Sequence, residues 1–89
     1  MEEKIKALLD AGNRAEAIKM IEAYLQQEGE EEELLLWLGE LIYAEGRMPE
    51  ALNRFNAVLR LNPENQKARN YVTMIHNILG YYCKDMFNP

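Results

Sequence analysis

The sequence predicts an all-α fold made of a repeated pair of helices. Three observations carry that prediction. Apolar residues recur at i, i+3, i+4 and i+7 through five segments, the period of a helix with one buried face. The prolines Pro49 and Pro63 stand at segment ends, where a missing N–H and a fixed φ cost little. Finally, Gly12, Gly46 and Gly80 are spaced by 34 residues, and GNRAEAIKMI (12–21) aligns without a gap on GRMPEALNRF (46–55). In that register Ala17 falls on Ala51, Ile18 on Leu52, Ile21 on Phe55, and Gly29 on Pro63. Five coincident positions in one register define an internal repeat.

Each element follows from local chemistry. Helices are expected over 2–10, 14–27, 32–45, 49–60 and 65–79. Gly12 and Gly46 belong in the tight turns inside helix pairs, where a residue without Cβ reaches positive φ freely. The register places Gly80 in a third such turn. Ala17 and Ala51 sit where the second helix of a pair crosses the first, and a small side chain lets the backbones approach. The run EGEEEE (28–33) invites a metal reading. Its expected role is to end one helix at Gly29 and set carboxylates at the N-terminus of the next, where the helix dipole favours negative charge.

Composition narrows the function classes. One domain of 89 residues, with 48% hydrophobic and 28% charged residues, folds around a modest core. A net charge of −5 argues against partners rich in phosphate, both nucleic acid and anionic membrane. No apolar run approaches the roughly 20 residues that cross a bilayer. The amphipathic start MEEKIKALLDAG lacks a signal-peptide pattern, and Cys83 is the single cysteine, which together point to the cytoplasm. His76 and Cys83 are too few and too unsupported for a catalytic pair or a zinc site. No phosphate-binding or dinucleotide fingerprint is present. The expectation is a non-enzymatic protein without cofactor or metal.

Residues 32–65 resemble a tetratricopeptide repeat. Leu35, Leu38, Gly39, Ile42, Gly46, Ala51, Phe55, Val58 and Pro63 fall on the family pattern, with Leu35 replacing its tryptophan and Ile42 its tyrosine. Residues 1–31 form a degenerate copy with Lys4 and Ile5 in place of Leu and Gly. Residues 66–79 read as a capping helix whose Arg69, Val72, Thr73 and His76 occupy the signature positions. The resemblance implies a right-handed superhelix of antiparallel helix pairs, about two and a half repeats long, that binds another protein in a concave groove.

Carried over position by position, the family's groove would draw on Glu2, Glu3, Lys6, Leu9 and Asp10, then on Glu33, Leu36, Trp37, Glu40, Tyr43 and Ala44. From the third repeat it would draw on Lys67, Asn70, Tyr71, Met74, Asn77 and Ile78. Trp37, Tyr43, Tyr71 and Met74 would form an apolar stripe edged by Glu33, Glu40 and Lys67, the aromatic-anchor composition of a protein interface. Trp37 is expected to be partly exposed, because Leu35 and Leu38 fill the core side of its helix. The family's grip on a terminal carboxylate would need Lys, Asn and Arg where this chain has Glu2, Lys6, Trp37, Lys67 and Tyr71, so most of that clamp is missing.

The stretch GYYCKDMFNP (80–89) closes the chain. Asp85 stands where the repeat calls for the close-packing alanine, and ten residues make a marginal helix in isolation. These residues are therefore expected to form an apolar tail, with Tyr81, Tyr82, Met86 and Phe87 packed on the scaffold or on a second copy, the alternative being a frayed end with one or two residues held down. At about 25 cal/mol per Å², such burial amounts to several kcal/mol before entropy is subtracted. Two functions stand side by side: a scaffold holding a peptide or helix in its groove, and a self-associating homodimer joined by tail or groove.

Overall fold

The computed structural model describes the backbone of residues 1–87 and the side chains of residues 1–80. Its five helices are α1 (Glu2–Asp10), α2 (Arg14–Glu28), α3 (Glu32–Ala44), α4 (Met48–Leu61) and α5 (Gln66–Phe87), and no strand occurs among the described residues. Each helix packs on its neighbours in sequence, with the α3–α4 pair making the broadest contact. Such local packing is the hallmark of a helical repeat, where each unit buries its apolar face on the next.

The turns inside the pairs follow from glycine. Gly12 and Gly46 adopt φ of 78° and 79°, a region where an added Cβ would strain the backbone. Gly29 ends α2 at φ 95°, its N–H donating to the Leu25 carbonyl.

One buried cluster runs the length of the array. Ile5 from α1, Ala17 and Ile21 from α2, Leu38 and Ile42 from α3, Ala51, Phe55 and Val58 from α4, and Ala68 and Ile75 from α5 are all essentially sealed from solvent. The close-packing alanines Ala17 and Ala51 expose nothing. Gly39 explains itself at the α3–α4 crossing: a Cβ there would lie 2.7 Å from Phe55 Cε1. In the first repeat the same two register positions hold Ile5 and Ile21, both fully buried. There a side chain at position 5 goes with a residue smaller than phenylalanine at position 21.

The expected turn at Gly80 does not form. α5 runs through Gly80 to Phe87, so residues 80–87 continue a helix rather than departing from it. The physical reason lies in the residues that come after each glycine. After Gly46 come Pro49 in the first turn of α4 and then the buried Ala51 and Phe55, which reward a reversal with packing. After Gly80 the register offers Asp85 where Ala51 stands and no proline in the first turn, so nothing repays breaking α5, while continuing it retains a backbone hydrogen bond per residue. The contacts expected of Tyr81, Tyr82, Met86 and Phe87 lie outside the described side chains.

Candidate protein-binding groove

α5 is fastened to the second repeat by polar chemistry at one end of α3 and by aromatic rings further along. Glu32, in the first turn of α3, accepts hydrogen bonds from Asn65 Nδ2 at 2.7 Å and Asn62 Nδ2 at 2.8 Å. Asn65 in turn caps α5 by accepting from the Ala68 N–H at 3.0 Å, and Asn62 Oδ1 accepts from the Glu64 N–H at 3.1 Å. The two amides, Asn65 first, hold the Glu32 carboxyl below its ordinary range by favouring its charged form. Part of the acidic run thus ties three elements together, a role beyond complementing the dipole of α3.

Further along, the Tyr71 ring of α5 stacks on Phe55 with centroids 4.4 Å apart and planes 4° from parallel. It meets Tyr43 edge-on at 5.2 Å. Its hydroxyl donates to Glu40 Oε2 at 3.1 Å. Burial, reinforced by the neighbouring Glu40 carboxylate, pushes the phenol's pKa up. Lys67 Nζ approaches the same Glu40 oxygen at 3.5 Å. Tyr43, Tyr71, Glu40 and Lys67 therefore form one packed sector between α3 and α5, with Tyr71 serving the scaffold rather than standing ready for a ligand.

A second sector lies between α1, α2 and α3. A cavity of about 530 Å³ is lined by Met1, Glu2 and Lys6 of the first helix region, by Tyr24 of α2, by Glu31, and by Glu33, Leu34, Leu36, Trp37 and Glu40 of α3. Trp37 and Leu36 are half-buried, and each keeps part of its apolar surface in contact with the core cluster. Glu33 and Glu40 flank Trp37 at i−4 and i+3, so all three share one helix face. Lys6 is partnered by Glu2 at 3.5 Å. Glu40 borders both sectors.

The remaining groove candidates fall elsewhere. Leu9 is half-buried and packs against the core. Asn70 is exposed and accepts from Gln66 Nε2 at 2.9 Å. Glu3, Asp10, Ala44 and Asn77 are exposed, as are Met74 and Ile78 at 44% and 36% of their surface. The apolar stripe across all three repeats is thus divided: Trp37 belongs to the cavity, Tyr43 and Tyr71 to the packed sector, and Met74 to the outer part of α5.

Tyr24 and Glu31 lie outside the groove positions expected from the sequence, where Glu31 figures only in the acidic run, although the repeat register marks both. Tyr24 falls on the buried Val58 and Glu31 on the cap residue Asn65. Tyr24 packs against the core cluster while reaching the cavity wall, and Glu31 makes no side-chain cap bond to α3. On the opposite side of the first repeat, Arg54 of α4 reaches Glu22 of α2 at 3.1 Å beside a cavity of about 420 Å³. Among the described residues no group of three or more His, Cys, Asp or Glu side chains is placed to hold a metal, and no helix is long and apolar enough to cross a membrane.

Comparison with known proteins bears on the repeat fold. No curated protein and no solved structure gives a significant match to the chain. The family model described as tetratricopeptide repeat matches residues 8–74, a span from the end of α1 into the middle of α5. The protein belongs to the tetratricopeptide repeat family, whose repeats are generally protein–protein interaction modules.

Proposed function

We propose that the protein is a non-enzymatic scaffold that binds a peptide or helix of another protein in its concave groove, and that the cavity beside Trp37 is where the ligand's main side chain enters. The observation that carries this reading is the cavity of about 530 Å³ with a half-buried tryptophan in its wall and carboxylates at its edge. That volume suits one or two side chains of a segment, and an aromatic anchor with a polar rim is the usual composition of an energetic centre in an interface. A single cysteine and a strongly acidic surface are compatible with action in the cytoplasm.

Selection of a displayed random-peptide library on the immobilised full chain tests the reading. Peptides that bind the wild type and are lost on a Leu36→Ser, Trp37→Ala variant support it. Peptides that keep full affinity for that variant place the binding surface elsewhere.

A second reading, self-association, is favoured by the exposed Met74 and Ile78 one turn apart on α5, the last helix of the array. Light scattering across a concentration range checks it. A dimer that Met74→Ser, Ile78→Ser or removal of 81–89 converts to monomer supports homodimerisation, and a monomer at every concentration excludes it.

A further inference from the structure

The cavity beside Trp37 is not a neutral apolar slot, and its charge says what it accepts. Four carboxylates line it, Glu2, Glu31, Glu33 and Glu40, and Lys6 is the lone basic side chain there. Lys6 is engaged by Glu2, and Glu40 is engaged by Lys67 and the Tyr71 hydroxyl. Among the described residues Glu31 and Glu33 have no ion-pair partner, and both are exposed at the cavity's edge. Neither has a structural duty comparable to that of Glu32, which the two asparagines hold.

Resting on the groove reading above, we infer that the occupant is a basic peptide segment whose arginine or lysine side chain lies against Trp37 between Glu33 and Glu40, with an adjacent apolar residue against Leu36. A cation over an indole face is attracted by the ring's quadrupole, and the flanking carboxylates supply charge-assisted hydrogen bonds. Arginine fits best, since its planar guanidinium both stacks and donates in a fork. The chain's net charge of −5 draws a cationic segment toward this surface and repels an acidic one. The cavity is therefore selective by sign as well as by shape.

Three fluorescently labelled peptides that share the same leucine positions, with arginine, glutamine or glutamate at all others, separate the possibilities by anisotropy with the full chain. The arginine peptide is expected to bind at least about tenfold more tightly than the glutamine peptide and to weaken as salt rises, while the glutamate peptide does not bind. Glu31→Gln with Glu33→Gln is expected to weaken the arginine peptide about tenfold, whereas Glu28→Gln with Glu64→Gln, an equal charge change outside the cavity, weakens it less than about twofold. If the glutamine or glutamate peptide binds as tightly as the arginine one and Trp37→Ala abolishes that binding, the basic occupant is overturned while the groove stands. If the two double variants weaken the arginine peptide equally, attraction is diffuse and the site assignment is overturned. Binding of none of the three overturns both the occupant and the groove.

Discussion

The first and second repeats share a backbone plan and differ in how completely their side chains are used. In the second, Phe55 fills the space over Gly39 and stacks on Tyr71, while Asn65 caps α5 and Glu32 ties the connecting loop. In the first, the register-equivalent positions hold Ile21, Ile5 and Glu31, and Glu31 makes no side-chain cap bond. Phe55, Gly39 and Asn65 thus have plainer counterparts in the first, and Glu32 has no equivalent position there. Tyr24, which also packs against the core, and Glu31 stand in the cavity wall beside Trp37 and Leu36 of the second repeat. The difference lies in polar fastening: the second repeat ties its neighbours with Glu32, Asn62 and Asn65, and the first has no such clamp among its hydrogen bonds.

The sharpest way to break this comparison is to empty the second repeat. Phe55→Ala removes a fully buried ring and its stack on Tyr71, and should cost about 3–5 kcal/mol in urea denaturation. Against a total of about 5–15 kcal/mol for a domain, that is a large share of the stability. A loss no larger than that of Ile21→Ala, about 2–5 kcal/mol, would mean the two repeats are equally important.

Glycines give the next test, because three of them do different things. Gly39→Ala pushes a Cβ to 2.7 Å from Phe55 Cε1, and overpacking of this kind costs about 1–3 kcal/mol. Gly80→Ala should stabilise by up to about 1 kcal/mol, since the position is helical and a Cβ there meets nothing within 4 Å. Destabilisation by Gly80→Ala would indicate a turn at Gly80 after all. Gly46→Ala should destabilise by about 1–2 kcal/mol through its φ of 79°.

The caps form a smaller, paired prediction. Asn65→Ala should cost about 1 kcal/mol in thermal or urea unfolding, and Glu31→Ser should gain about half that by giving α3 the cap it lacks. If Glu31→Ser also weakens the arginine peptide, stability and binding are shown to compete at one residue.

The smallest effects are pH-dependent. Glu32 is more acidic in the fold than in the unfolded chain, so its contribution is fully present above its ordinary pKa of 4.5 and fades as pH falls through its lowered value. Tyr71 is shifted upward, so its contribution is present below its ordinary pKa of 10.0 and is lost as pH rises beyond it. Stability curves of Glu32→Gln should be flatter at the acid end, and those of Tyr71→Phe flatter at the alkaline end.

Much of the fold was legible because a repeat is a periodic message. The 34-residue register fixed the turns at Gly12 and Gly46 and pointed to Ala17, Ala51, Ile21 and Phe55 as close-packed. Gly80 misled for a physical reason: a glycine permits a reversal, but only a succeeding helix with a buried face makes one favourable. The site was less legible. The stacking of Tyr71 and the clamp on Glu32 join residues far apart in the chain through side-chain geometry, which helical periodicity does not encode. Tyr24 and Glu31 were readable only by comparing the repeats position by position, which sets a large ring against Val58 and a carboxylate against the cap residue Asn65.

Trp37 is the chain's single tryptophan, so its selectively excited emission reports on the cavity alone. Acrylamide quenching of that emission, measured on the free chain and again with the arginine peptide, tests the central claim most directly. The account predicts ready quenching in the free protein and clear protection when the peptide is bound. Emission that resists quenching in the free protein, or quenching unchanged by saturating peptide, would contradict it.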